Sequence, residues 1–213
     1  MRHPHAVGAF FALALISGAA TDARAQVGRN QGVVNPDLAS EADLRALPGL
    51  DSALVARIVA ERPFAGMAAF HALLSASLNG DQLKALYPRL FLPINLNATS
   101  REEILLVPGV GARMAGEFEE YRPYQTLQQF RREIGKYVDS TEVARLEQFV
   151  FVPIDLNSAS DEDIMSLPGM GRRMLREFKE YRPYQSIEQF RREIGKYVNA
   201  REVARLEQYV RRP

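Results

Sequence analysis

The strongest constraint on this chain is that it repeats itself every sixty residues without a gap. Ser40, Ser100 and Ser160 align, as do Pro48-Gly49, Pro108-Gly109 and Pro168-Gly169, and then Arg62-Pro63, Arg122-Pro123 and Arg182-Pro183. The second and third stretches, 94–153 and 154–213, agree at 38 of 60 positions, and the first, 34–93, is far more diverged. Self-similarity at such a period makes the repeat the unit of folding, with neighbours helping to bury each unit's apolar face. The joins are short, as at Phe151-Val152-Pro153, with no Gly/Ser-rich linker, so a fairly stiff row of modules is expected.

Within each repeat the spacing predicts four short helices. In the second, Ser100 begins a helix with Glu103 at the capping-box position, and Pro108 ends it. Ser40…Asp43 and Ser160…Asp163 repeat that start. Met114, Phe118 and Tyr121 lie on one face of a second helix, and Leu127, Phe130 and Ile134 on one face of a third. A fourth starts at a further box, Asp139…Glu142, matched by Asn79…Gln82 and Asn199…Glu202, and buries Val143, Leu146 and Val150. No stretch alternates with a period of two, so the expected class is all-α: three tandem modules of four short helices each.

Before the repeats, Arg2 precedes an apolar run, Ala6–Ala20, and Ala23-Arg24-Ala25 offers small residues for cleavage. This is the three-part pattern of a secretory signal peptide over 1–25. The run is too short for a membrane anchor, which needs about 20 apolar residues. Residues 26–33 then form an N-terminal segment, and the mature chain is expected in the periplasm or outside the cell, with no transmembrane segment.

The absence of Cys excludes disulfides, thiolate catalysis and Cys-ligated metals. His71 is the only histidine after the leader, so neither a His-rich metal site nor a Ser-His-Asp triad can be assembled. The carboxylates read as helix caps and ion-pair partners, and no phosphate loop or nucleophile elbow occurs. The chain therefore reads as a binding protein without enzymatic activity or cofactor.

The bend between the first two helices carries the binding chemistry: Val107-Pro108-Gly109-Val110-Gly111 and Leu167-Pro168-Gly169-Met170-Gly171. Gly111 and Gly171 open helices, where free N–H groups and the dipole favour an anion. Arg113 follows the first bend, and Arg172, Arg173 and Arg176 the second.

In these bends, in the openings Ile94-Asn95-Leu96-Asn97 and Ile154-Asp155-Leu156-Asn157, and in the Tyr-Arg-Pro-Tyr joins, the sequence resembles the tandem helix-hairpin-helix domain of competence-type periplasmic DNA receptors (ComEA-like). The resemblance covers 34–213 three times over. It implies sequence-independent binding of double-stranded DNA, with phosphates held at Gly109, Val110, Gly111 and Arg113 and at Gly169, Met170, Gly171, Arg172, Arg173 and Arg176.

The chain departs from that pattern in three ways. Tyr137-Val138-Asp139 and Tyr197-Val198-Asn199 stand where the second Gly-apolar-Gly hairpin is expected, with Arg131, Arg132 and Lys136, and Arg191, Arg192 and Lys196, on the helices leading in as compensating bases or a solvated face. In the first repeat Asp51 replaces the second hairpin glycine, and Ala53, His71, Ala72 and Ala76 replace basic positions. That repeat reads as structural or as a partner surface. Finally, the repeats carry net charges of −1, −2 and +2 in order, so any DNA contact rests on local patches. The competing reading is a scaffold. The extrinsic photosystem II protein U is similar to this fold family and uses it to cap a protein complex without DNA, which implies an envelope protein partner, engaged through 34–93.

Tyr121, Tyr124, Tyr181 and Tyr184 flank the Arg-Pro joins and are expected to pack one helix pair on the next rather than stack on bases.

Overall fold

In the computed structural model, residues 32–211 are described, and the signal-peptide reading over 1–25 lies outside them. The described chain is mostly helical. The first repeat carries α1 (Glu41–Arg45), α2 (Ser52–Glu61), α3 (Met67–Ser75) and α4 (Gly80–Leu86). The second carries α5 (Arg101–Ile104), α6 (Ala112–Glu120), α7 (Leu127–Ile134) and α8 (Ser140–Leu146), and the third α9 (Asp161–Met165), α10 (Arg172–Glu180), α11 (Ile187–Ile194) and α12 (Ala200–Glu207).

Helix starts follow the local chemistry. Ser40, Ser100 and Ser160 accept from the backbone N–H three residues on, and Asp43, Glu103 and Asp163 return the bond to the cap's own N–H. Asn79 and Gln82 make the same reciprocal pair. Asp139 and Asn199 make only the first half. Glu142 and Glu202, expected to complete those boxes, instead hold Arg145 and Arg205, because an arginine three residues on is a stronger donor than a peptide N–H.

The all-α expectation needs one correction. Each repeat closes its ends with a minimal parallel contact: β1 (Ile94–Asn95) on β2 (Val150–Phe151), β3 (Ile154–Asp155) on β4 (Val210–Arg211), and a single bridge from Val34 to Leu90. Two-residue strands cannot show a period-two pattern, so they left no trace in the sequence. They tie each repeat's first residues to its last.

The apolar core does not divide by repeats. One buried cluster runs from Val33 to Val152 through both the first and second repeats, and another holds Phe151 to Val210. Phe91 meets Phe149 edge-on with centroids 5.2 Å apart, and Phe151 meets Tyr209 at 4.6 Å. The same register thus joins first to second and second to third. The third repeat also reaches back to the first, where Gln208 Nε2 donates to the Phe64 carbonyl at 3.0 Å. The repeats are therefore not a simple row, since first and third touch.

Candidate nucleic-acid interface

The three Pro-Gly bends share one backbone form. Gly49, Gly109 and Gly169 have φ of 83°, 79° and 81°, the left-handed region that glycine enters without a steric penalty. In the second repeat the turn closes through Val110 N–H on the Val107 carbonyl at 3.0 Å, and the Val110 side chain points into the core. Met170 does the same in the third, its N–H 3.2 Å from the Leu167 carbonyl. Val110 and Met170, expected to contact phosphate through backbone N–H, thus have that N–H already bonded within the turn and the side chain in the core.

The helix start beyond each bend distinguishes the repeats. Gly111 and Gly171 open α6 and α10 in extended conformation, exposed to solvent, and no side chain caps either helix. In the first repeat the carboxylate of Asp51 sits at this point and accepts from Leu54 N–H at 2.7 Å. The first repeat supplies its own anion, and the other two leave their helix starts open.

Arg113, Arg172, Arg173 and Arg176 are exposed beside these starts. Among the described residues none of the four makes an ion pair, while fourteen other pairs do form. Glu119, a neighbour of Arg113 in sequence, turns instead to Arg101. The Arg173 guanidinium lies 5.7 Å from the centre of the Tyr197 ring.

The second basic group behaves otherwise. Arg131 grips the buried Glu147 with Nε and Nη2 at 2.9 and 2.5 Å, and Arg191 grips Glu207 at 2.7 and 2.6 Å. Arg132 and Lys136 converge on Glu133, and Arg192 and Lys196 on Glu193. Hydrogen bonds from Lys136 and Arg132 hold the Glu133 carboxyl below the usual carboxylate range, and Lys196, with Arg192, does the same for Glu193. All six bases already have carboxylate partners. The helix starts beyond them, α8 and α12, are filled by the chain's own Asp139 and Asn199.

Sequence reasoning missed two residues behind the bends. Arg145 approaches Gly109, and Arg205 approaches Gly169. Arg205 is 1% exposed; it donates to the Pro168 carbonyl at 2.6 Å and grips Glu202 at 2.8 and 2.7 Å. The available signal was Arg at both positions against Ala85 in the first repeat.

The tyrosines divide. Tyr124 and Tyr184 are buried at 0% and 1%, out of reach of any base. Tyr121 and Tyr181 bond through their hydroxyls to Tyr137 and Tyr197 at 2.8 and 2.7 Å, linking α6 to the turn after α7 and α10 to the turn after α11. His71 binds the Tyr87 hydroxyl through Nδ1 at 2.5 Å, and burial pushes the Tyr87 phenol up to about 12.

Compared with known proteins, the chain matches no family model, no curated protein and no solved structure.

Proposed function

We propose that 34–93, 94–153 and 154–213 are three tandem helix-hairpin-helix modules of the ComEA-like type, exported after cleavage near Ala25 to the periplasm or beyond. In this reading the mature, non-enzymatic protein holds double-stranded DNA without reading its sequence. The observation that carries the reading is the contrast at one position. Two bends present exposed, uncapped helix starts beside four arginines that form no ion pair among the described residues, and the third bend has its own Asp51 there. Backbone N–H groups and guanidinium groups together suit a phosphodiester oxygen.

The electrostatics bound the strength of such binding. Arg131, Arg132, Lys136, Arg191, Arg192 and Lys196 already face carboxylates, so Arg113, Arg172, Arg173 and Arg176 are the bases of the candidate site left to displace counterions. About four phosphate contacts give a salt slope of about −3.6, a loss of roughly 10²-fold in affinity between 50 and 200 mM salt. Fluorescence anisotropy on unrelated duplexes tests this. Affinities should agree across sequences, and Arg172→Glu with Arg173→Glu should weaken all of them by at least about tenfold while flattening the slope. Salt-insensitive binding, or none at low salt, would overturn the reading.

A second reading has its own support. The plugged bend of the first repeat and the internal pairing of six bases favour a scaffold that docks an envelope protein through 34–93. No helix among the described residues is long and apolar enough to cross a membrane. Envelope extracts yielding one stoichiometric partner, lost on surface substitution of 34–93, together with no DNA retention, would select this reading.

A further inference from the structure

A clasp recurs in each repeat, where the residue three places after the parallel contact begins holds the segment leading to the third helix. Asn97 Oδ1 accepts from Tyr124 N–H at 2.6 Å, and its Nδ2 donates to the Tyr124 carbonyl at 2.8 Å. Asn157 and Tyr184 repeat both bonds at 2.6 and 2.9 Å. The first repeat has Asp37 in this place. Its Oδ1 accepts from Phe64 N–H at 3.1 Å, but a carboxylate has no proton to return. Asp37 Oδ2, the atom standing where the amide nitrogen stands elsewhere, is buried and has no hydrogen-bond partner among the described residues. The Phe64 carbonyl takes its donor from the third repeat, through Gln208 Nε2 at 3.0 Å.

We propose that Asp37 is a proton-operated clasp: protonated at Oδ2, it donates to the Phe64 carbonyl and gives the first repeat the two-bond closure that Asn97 and Asn157 provide permanently. A carbonyl oxygen has two lone pairs, so it accepts from Gln208 and from Asp37 together. The titratable and charged groups facing Asp37 are Arg62, just ahead of Phe64, Arg205 and Glu202 on α12, and the Tyr209 phenol beyond it; Arg62 in turn lies near Arg201 and Glu41. Burial outweighs the Phe64 hydrogen bond and both arginines and raises the Asp37 carboxyl above its ordinary value. A group whose folded value is raised holds its proton where the unfolded chain has lost it, so the stability it contributes is present in acid and is lost as pH rises through that folded value. Acid therefore tightens the seam of 35–39 on 62–64, and neutral pH loosens it.

The test uses the full mature chain. The Asp37 carboxyl carbon, followed by NMR, should titrate above 3.8, the ordinary value. Exchange of the Phe64 amide, corrected for its intrinsic rate, should slow on acidification by about tenfold for each pH unit of that elevation. Asp37→Asn should hold the slow rate at both neutral and acid pH and remove the pH dependence. Asn97→Asp should import the dependence into the second repeat, read at the Tyr124 amide. A carboxyl titrating at or below 3.8, or faster Phe64 exchange in Asp37→Asn at neutral pH, would overturn the proposal. Unchanged pH behaviour at Tyr124 in a folded Asn97→Asp protein would overturn it as well.

Discussion

Truncating the arginine behind the third-repeat bend should unfold this protein far more readily than the same change one repeat earlier. Arg205 and Arg145 occupy equivalent positions and make the same bidentate grip, on Glu202 and Glu142. Their surroundings differ. The Arg205 side chain is 2% exposed and also donates to the Pro168 carbonyl, whereas the Arg145 side chain is 34% exposed. Arg205→Ala leaves the Pro168 carbonyl without its donor, at about 1–3 kcal/mol, removes the packing of a side chain that is 2% exposed, and leaves the 29%-exposed Glu202 without its cation, for a total of about 3 kcal/mol. Arg145→Ala breaks a solvent-screened pair worth about 1 kcal/mol or less. Urea unfolding of the two variants, followed by far-UV circular dichroism, should show this gap. In thermal melts, at roughly 2–4 °C per kcal/mol for a chain of this size, Arg205→Ala should lower the midpoint by on the order of 10 °C. Equal costs would refute the idea that burial, rather than the pairing itself, sets the contribution.

Alanine at the three left-handed glycines should grade in the same way. Gly49→Ala meets nothing within 4 Å and should cost only the left-handed strain of about 1–2 kcal/mol, while Gly169→Ala drives its Cβ into the locked Arg205 Nη2 and should cost clearly more in the same denaturant assay. Gly109→Ala, whose Cβ would lie 3.0 Å from the more exposed Arg145, should fall between them. Asp51→Ala removes the cap on α2 and should destabilise by about 1 kcal/mol by urea titration, with Asp51→Asn nearly neutral, since both Asp and Asn cap well. Phe149→Ala should cost about 3–5 kcal/mol, and hydrogen exchange should show the loss in the first repeat as well as the second, because Phe149 packs on Phe91 inside their common core.

Helix starts, glycine bends and the sixty-residue period were all legible in the residues, because each helix start and bend depends on groups within about four positions of one another. Ser100 with Glu103 is a cap wherever the chain goes next, and Gly109 bends whatever packs behind it. The candidate site was only half legible for the same reason. Arg113, Arg172, Arg173 and Arg176 stand out beside their bends as their sequence implied. Arg131 and Arg191 look equally available until α7 and α11 are laid against the C-terminal ends of α8 and α12, which brings carboxylates sixteen residues away onto their guanidinium groups. Asp37 reads as an ordinary polar residue until Phe64 closes over it, and Arg205 as a surface base until the third repeat meets the first. Local geometry sets the turn and the cap, but burial and the sign of the neighbouring charge are properties of surfaces that only folding brings together.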